Sequence, residues 1–340
     1  MERPLGIVTI HDPTAPCRML AELPTATDID CLLTISGHGA FSFKVVASDP
    51  GANKDTIKQG NLVVIRGAHA YIGIIGRIEE EHGVLEASGD SWASLLYERR
   101  VPLDVSYSNR AAGSIALQAL QLVNGHNPTG FLPSPRNEPC GPFRGTFQAG
   151  GMYLGDALDD LADKVGQEWW LEQIVGRNRL QGFLHWGIRR GSDKSGSIHL
   201  TDGLHFTSSR YVQDILGATQ SVQVVGGGTD VADRPSATQS GALQGATLSR
   251  EKVEYLPSDE EIAVLSDAAQ AALANPLVAA ESLPLTINTK LDWRLIGPGD
   301  TITVILPDTY FGCVRRQVRI LALQPDEAAG ECDLAVEVLV

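Results

Sequence analysis

Two histidines that lie close together are the first candidates for metal binding. His199 and His205 are six residues apart in the segment HLTDGLH. A zinc site needs three or four protein ligands, and this spacing differs from the His-Glu-x-x-His helix of zinc peptidases. The five cysteines show no Cys-x-x-Cys spacing that would complete such a site. The sequence therefore predicts two surface histidines, no metal site and no cofactor.

A glycine-rich segment is the candidate for phosphate binding. Residues 226–230 read Gly-Gly-Gly-Thr-Asp and follow a predicted strand over 222–225. A turn of this kind cradles phosphate when a helix starts directly after it. Residues 231–249 show no helical periodicity, so we expect no nucleotide site here.

Two adjacent carboxylates are the candidates for acid–base catalysis. Asp159 and Asp160 fall on the polar side of a predicted amphipathic helix, where carboxylates are ordinarily solvated. The sequence has no Gly-x-Ser-x-Gly motif and no P-loop. A pair of acids for glycosidic cleavage has no local motif, so cell-wall hydrolysis stays open as an alternative. The expectation is that the chain is not an enzyme.

Three tryptophans cluster on two neighbouring predicted strands. Trp169 and Trp170 are adjacent and therefore point to opposite faces of their strand, and Trp186 lies on the next strand. One face belongs to the core, and the other is available for a subunit interface or, alternatively, for a sugar. Trp169, Trp170 and Trp186 are therefore the interface candidates.

The elements around these residues include a hairpin that occurs twice. Residues 60–78 and 299–320 each combine a glycine turn, a β-rich run, a polar loop and a second run. Three residue pairs share a spacing of 239 positions: Gly60 with Gly299, Tyr71 with Tyr310, and Gly73 with Gly312. We predict that the two segments form the same strand pair, with Gly60 and Gly299 at matching turns.

Periodicity predicts the remaining elements. The first hundred residues alternate apolar and polar side chains in short runs, which is typical of an antiparallel barrel or sandwich. Helices are predicted around 115–123, with Gly125 at the end, over 154–165, with Gly166 at the end, and over 258–272, with Ser258 and Glu261 as a capping box. Residues 127–150, rich in proline and glycine, are predicted to form a long loop.

Composition narrows the function classes. Twenty-seven basic and 41 acidic residues give a net charge of −14, which disfavours tight binding to a nucleic acid backbone but is compatible with a channel through which DNA passes. The odd number of cysteines indicates reduced thiols. No run of 18 apolar residues occurs, so no integral membrane segment is expected, and the first residues show no signal-peptide pattern.

The first hundred residues also carry a pattern that resembles the opening domain of phage tail hub proteins. It comprises residues 36–43 (SGHGAFSF), 47–50 (ASDP), 60–65 (GNLVVI), a glycine-containing strand over 71–78, and 85–92 (LEASGDSW) running into Leu95, Arg99 and Arg100. The family includes the baseplate hub of contractile tails and the tail-associated hub protein of long non-contractile tails. The last fifty residues fit the same family.

The resemblance implies an α+β, mainly β fold. Two related tail-tube-like antiparallel β-barrels, N-terminal and C-terminal, would flank smaller α+β hub domains. The implied domains are 1–103 for the first barrel, 104–207 for an α+β hub domain, 208–283 for a third hub domain with a short helix, and 284–340 for the second barrel.

The resemblance also implies a structural hub at the distal end of a phage tail. Three copies, each with two barrels, would present six barrels to a six-fold tail tube, as a homotrimeric ring that leads to a three-fold tip and lines the DNA channel. The candidates for an acidic lumen wall are Glu79, Glu80, Glu81, Asp326 and Glu327. The alternative is a tail protein that binds host-surface carbohydrate or degrades the cell wall.

The implied partners are other parts of the tail. They are the distal tail protein or tail-tube ring, the C-terminus of the tape-measure protein and a tip or fibre protein, with DNA met only in passage. The implied location is the virion, at the tail tip or baseplate, after assembly in the host cytoplasm.

Overall fold

A computed structural model gives the structure of the chain, and it is mainly β. It describes residues 7–103, 105–134, 146–176, 179–214, 221–227, 234–241, 251–256, 262–274, 280–326 and 328–339. The strands before residue 200 are β1 (Ile7–His11), β2 (Met19–Leu23), β3 (Thr27–Cys31), β4 (Leu33–Thr34), β5 (Ala40–Val46), β6 (Leu62–Arg66), β7 (Ala70–Glu81), β8 (Val84–Ser91), β9 (Ser106–Ser108), β10 (Phe131–Pro133), β11 (Thr146–Gln148), β12 (Glu168–Gly176), β13 (Arg179–Gly187) and β14 (His199–Thr201).

The later strands and three α-helices complete the described part of the fold. The strands are β15 (Phe206–Ser209), β16 (Val212–Asp214), β17 (Ser221–Gly226), β18 (Ser236–Ser240), β19 (Glu251–Leu256), β20 (Ala280–Ser282), β21 (Leu285–Asn288), β22 (Thr301–Thr309), β23 (Gly312–Asp326) and β24 (Glu331–Leu339). The helices are α1 (Ala112–His126), α2 (Leu154–Val165) and α3 (Ile262–Ala274). The chain divides into two compact units, one of residues 1–209 with 284–340 and one of residues 210–283.

The first sheet has seven strands in the order β2-β1-β6-β7-β8-β5-β3, and every neighbouring pair is antiparallel. In β5 the side chains of Phe41, Phe43 and Val45 are buried, while those between them are half-buried. This is the alternation expected of a strand with one face on the core. The alternation predicted for the first hundred residues is confirmed in this strand.

The second sheet has the order β14-β22-β23-β24-β21-β15, with β4 paired to β23 beside it. Only β14 and β22 run parallel among these pairs; the others are antiparallel. Five strands therefore follow the same path in both sheets: β6-β7-β8-β5-β3 in the first and β22-β23-β24-β21-β15 in the second. Their order along the chain is also the same.

Matching turns open the two hairpins. Gly60 and Gly299 both have positive φ, +87° and +94°, which favours glycine. The Gly60 N–H donates to the Ile75 carbonyl at 2.8 Å, and the Gly299 N–H donates to the Ile320 carbonyl at 2.7 Å. The strand register then shifts directly after Ile75 and directly after Ile320. The prediction of one strand pair with matching glycine turns is confirmed.

The equal sequence spacing of Tyr71 and Tyr310 from their glycines does not place them at equivalent positions. Ile65 pairs with Tyr71 in the first hairpin, and the corresponding pair in the second hairpin is Val304 with Arg316. The second hairpin continues beyond that pair and carries Tyr310 in its tip, 97% exposed, whereas Tyr71 is buried. The strands of the second hairpin are longer, so equal spacing in the sequence does not give equal positions.

A helical region lies between the two sheets in the chain. α1 and α2 share a core with the sheet β10-β13-β12. α2 ends at Gly166, which has φ +61°, as predicted. Gly125 is not the end of α1, because the helix continues to His126. The predicted loop over 127–150 contains β10 and β11, and its residues 135–145 lie outside the described part of the chain.

The unit of residues 210–283 contains the sheet β18-β17-β19, with α3 packed on it, and the strand pair β16 and β20. Its core comprises Val222, Val224, Leu265 and Ala269. The predicted strand and helix are both present. Residues 228–230 of the glycine-rich segment and the capping residues Ser258 and Glu261 lie outside the described residues. Within the described part of the chain, no helix is long and apolar enough to cross a membrane.

Candidate functional site: the joint between the two large sheets

A strand from the first repeat completes the second sheet. β4 follows β3 directly in the chain, yet Leu33 and Thr34 pair with Leu323 and Ala322 of β23. The next N–H, that of Ile35, donates to the Leu321 carbonyl at 3.1 Å. Backbone hydrogen bonds between strands give a contact with a fixed register. We call this contact, together with the ionic network below, the joint.

A buried ionic network holds the joint. Both terminal nitrogens of Arg319, on β23, donate to the carboxylate of Glu168, on β12, at 2.5 Å each. The Arg190 backbone N–H donates to the same carboxylate at 2.8 Å. The Arg190 guanidinium donates to the carbonyl of Thr34 at 2.9 Å and also to that of Ile35. One network therefore links the helical region, β4 and the second sheet.

Burial and neighbouring charges shift the pKa of two groups in this network, Glu168 and Arg190. Burial raises the pKa of Glu168, but the hydrogen bonds from Arg319 and Arg190 and the Arg319 charge outweigh it, so the pKa lies below its ordinary value. Burial lowers the pKa of the Arg190 guanidinium to about 10, against the attraction of Asp300 and Glu168. Glu168 and Arg190 are therefore both charged at neutral pH, and each has a partner of opposite charge or a backbone carbonyl.

The repeated glycine turn of the second sheet belongs to the same joint. Asp300, which follows Gly299, accepts hydrogen bonds from the Ser192 N–H at 2.9 Å and the Gly297 N–H at 2.8 Å. It also accepts from the Lys194 ammonium group at 2.7 Å. The carboxylate is almost fully buried and is satisfied by backbone and cation together. This fixes the start of β22 against the segment that follows β13.

The three tryptophans divide between two environments, as their alternation predicts. Trp169 and Trp186 are cross-strand partners in the core, 3% and 0% exposed. Trp170 points to the other face and stacks on the ring of His185, with centroids 5.3 Å apart. Trp170 also lines a cavity of about 320 Å³ next to Arg190. Among the three, only Trp170 keeps surface for the predicted interface role.

Asp159 is not the solvated carboxylate that the helix pattern predicts. One of its oxygens accepts a hydrogen bond from the Trp169 indole N–H at 2.8 Å, and the other accepts from the Tyr97 hydroxyl at 2.9 Å. Burial and the Asp159 charge raise the pKa of Tyr97. Asp160 does face solvent and pairs with Lys164 one turn later. Asp159 therefore holds two aromatic side chains in place.

The other candidates from the sequence do not meet in one place. The ring of His199 bonds to the Ser195 carbonyl, and the ring of His205 accepts from the Thr201 N–H, both at 3.0 Å. In the described part of the chain, no group of three or more His, Cys, Asp or Glu residues is arranged to hold a metal ion.

The acidic candidates for the lumen lie at equivalent ends of two strands. Glu79, Glu80 and Glu81 are the last three residues of β7 and are exposed, and Asp326 is the last residue of β23. Glu327 lies outside the described residues. Glu79 forms an ion pair with Arg77. Their lumen role stays a prediction.

Sequence reasoning misses the residues that make the joint. Glu168, Arg190 and Arg319 stand far apart in the chain and belong to no motif. The only signal was a charged residue inside an apolar strand: Arg319 lies between Val318 and Ile320, both buried. A charge in such a position requires a buried partner.

Comparison with solved structures shows which known proteins share this fold. No protein-family model matches the sequence, and no curated protein matches it. A 43 kDa tail protein of prophage MuSo2 from Shewanella oneidensis matches with a TM-score of 0.67 and 14% identity, over 98% of each chain. A tail protein from Neisseria meningitidis MC58 matches with a TM-score of 0.63 and 18% identity, over 98% of this chain and 97% of that one.

The chain has the fold of phage tail proteins. A third match with this fold is an Escherichia coli protein described as a component of the type VI secretion system, structurally similar to the T4 bacteriophage tail proteins gp27 and gp5. Its TM-score is 0.50 and its identity 11%, over all of this chain and 75% of that one. The resemblance to phage tail hub proteins is confirmed at the level of the fold.

Proposed function

We propose that the chain is a structural hub at the distal end of a phage tail or of a related injection device. Three copies form a closed ring that connects a six-fold tail tube to a three-fold tip. The hub lies in the virion, at the tail tip or baseplate, and is assembled in the host cytoplasm. Its role is mechanical: it binds other tail proteins, and the DNA passes through its lumen.

The observation that carries this proposal is the repeated five-strand path. One chain contains two sheets that share this five-strand order and the same glycine turn, and the joint links one to the other. Two related β-barrels built on these sheets would let three chains present six similar surfaces to a six-fold ring. A rigid joint suits this role, because the two surfaces of one chain must keep a fixed spacing.

The charge of the chain supports a channel. A net charge of −14 disfavours retention of DNA, since retention needs Lys and Arg at the phosphates. Glu79, Glu80 and Glu81, with Asp326 at the equivalent strand end, are the residues that would keep the wall acidic. The partners in this proposal are a distal tail ring or tube, the C-terminus of a tape-measure protein and a tip or fibre protein.

Electron microscopy tests the proposal directly. We expect three copies of the chain around the axis of a tail, below the last six-fold ring. A reconstruction with six copies, or one with the chain away from the axis, would contradict it. In solution, the mass of the chain together with its neighbouring tail ring should show three copies per ring.

A catalytic or sugar-binding role is the alternative to be tested beside it. Trp170 is the residue that favours sugar binding, because it is a partly buried aromatic ring that lines a cavity next to Arg190. Peptidoglycan zymography should show no clearing, and a glycan array should show no binding above that of a Trp170→Ala variant. Clearing, or binding that Trp170→Ala removes, would favour the alternative.

A further inference from the structure

Among the strands that the structure describes, part of β7 has a free edge where its counterpart in the second sheet is covered. β6 pairs with β7 only as far as Ile74, and Ile75 bonds to Asn61. Among the described residues, 76–81 of β7 therefore has β8 as its one neighbouring strand. The corresponding part of β23 has β24 on one side and β4 on the other. Free strand edges are sites of strand addition.

The bulges give the correspondence between β7 and β23. The register of β7 with β8 shifts directly before Arg77, and that of β23 with β24 shifts directly before Ala322. Arg77 therefore corresponds to Ala322, and Glu79 to Gln324. Since Ala322 pairs with Thr34 of β4, the open position beside Arg77 corresponds to that of Thr34.

The next step is to find the counterpart of β4 in the second repeat. Val46 of β5 pairs with Val84, the first residue of β8. Asn288 of β21 pairs with Glu331, the first residue of β24. Val84 and Glu331 occupy equivalent positions, because each begins the strand that follows β7 or β23. β5 therefore corresponds to β21, and Val46 corresponds to Asn288.

Crossing to the neighbouring strand then identifies the segment. Asp30 pairs with Ser42, four residues before Val46. In the second repeat, Ser209 pairs with Leu285, which lies three residues before Asn288. The next residue along the chain, Arg210, therefore takes the register position that is four residues before Asn288. Asp30 therefore corresponds to Arg210. Counting on by the same number of residues from Asp30 and from Arg210, β4 corresponds to part of β16.

The side chains at these positions are complementary in charge. Within the chain, the Gln324 amide donates to both carboxylate oxygens of Asp30, at 3.1 and 3.0 Å. The counterparts of this pair are Glu79 and Arg210, which have opposite charges and are both exposed. Glu79 already contacts Arg77 in its own chain, and a second guanidinium would complete the coordination of its carboxylate.

We propose that β16 of one copy adds to the free edge of β7 in a neighbouring copy, antiparallel, with Asp214 opposite Arg77 and Arg210 beside Glu79. This rests on the proposed ring of three and names the contact between its subunits. Each chain provides one donor strand and one acceptor edge, so the contact is head-to-tail and closes into a ring. It repeats between chains the pairing that β4 makes within one chain.

Cysteine pairs test the register of this contact. The background variant is the full chain with Cys17→Ser, Cys140→Ser and Cys313→Ser, which keeps only the two buried cysteines. Arg77→Cys and Asp214→Cys are then introduced together. Residues opposite each other on paired strands are close enough for a disulfide. Under mild oxidation we expect linked dimers and a closed covalent ring. A mixture of the Arg77→Cys and Asp214→Cys single variants should give linked dimers but no covalent ring.

Matched pairs serve as controls. Thr34→Cys with Ala322→Cys should form a disulfide within one chain, with no change in mass on a non-reducing gel. Arg77→Cys with Lys252→Cys, an exposed residue of β19, should give only background linkage. A yield for the Arg77 and Asp214 pair no higher than this background overturns the inference.

Charge reversal provides a second measurement that does not depend on cysteine chemistry. Glu79→Arg should raise the dissociation constant of the ring about tenfold, and Glu79→Arg with Arg210→Glu should restore it. Glu80→Arg, on the other face of the strand, should have a smaller effect.

A ring of three that forms without crosslinks or charge rescue refutes this contact and leaves the proposed function standing. A reconstruction without three copies on the axis refutes the proposed function itself.

Discussion

Arg319 binds both carboxylate oxygens of Glu168, at 2.5 Å each, although the two residues are 151 positions apart in the chain. The guanidinium is almost fully buried and the carboxylate is about three quarters buried. Removing one member of such a pair leaves the other charge without compensation in a poorly solvated place.

We therefore expect Glu168→Ala to lower the free energy of unfolding by about 3 to 5 kcal/mol. The control is Arg294→Ala, which breaks the exposed ion pair with Asp292 and should lower the stability far less, because solvent screens an exposed pair. Urea unfolding followed by circular dichroism measures both. Equal losses in the two variants would show that the pair with Arg319 contributes no more than a surface contact.

The lowered pKa of Glu168 predicts a loss of stability in acid. Because the folded pKa lies below the ordinary value of 4.5, its contribution is complete above that pH and is lost as the pH falls through the folded pKa. The gap in unfolding free energy between wild type and Glu168→Gln should therefore shrink below about pH 4.5. A gap that stays constant or widens down to pH 3 would contradict the assigned ion pair.

The sequence predicts strands and helices well here because local periodicity determines them. β5 alternates over Phe41, Phe43 and Val45, and α2 ends at a glycine with positive φ. It does not predict the joint, since the contact of Arg319 with Glu168 depends on how distant strands meet. The same limit applies to Tyr310. It stands as far from its repeated glycine in the sequence as Tyr71 does, but its hairpin is longer, so the two tyrosines lie at different positions.

Asp159 and Asp160 give a direct comparison of two adjacent carboxylates. Asp159→Ala leaves the Trp169 indole and the Tyr97 hydroxyl without their acceptor, and each buried donor left unpaired costs about 1 to 3 kcal/mol. Asp160→Ala removes only an exposed pair with Lys164, worth about 0.5 kcal/mol. We expect Asp159→Ala to lower the urea midpoint clearly and to change tryptophan fluorescence, and Asp160→Ala to do neither. Similar results for both would contradict the bridging role of Asp159.

The two repeated glycines predict a difference between otherwise equal turns. Both have positive φ, so alanine at either position should cost about 1 kcal/mol in backbone strain. At Gly60 an added Cβ would meet no atom within 4 Å. At Gly299 it would lie 2.6 Å from the Arg190 carbonyl oxygen, so the backbone of the joint would have to move. Gly299→Ala should therefore cost about 3 kcal/mol, since overpacking adds to the strain. Urea unfolding of Gly60→Ala and Gly299→Ala measures this difference under identical conditions. If the two variants lose the same stability, the second turn is not packed against Arg190, and the joint does not hold the start of β22 in place.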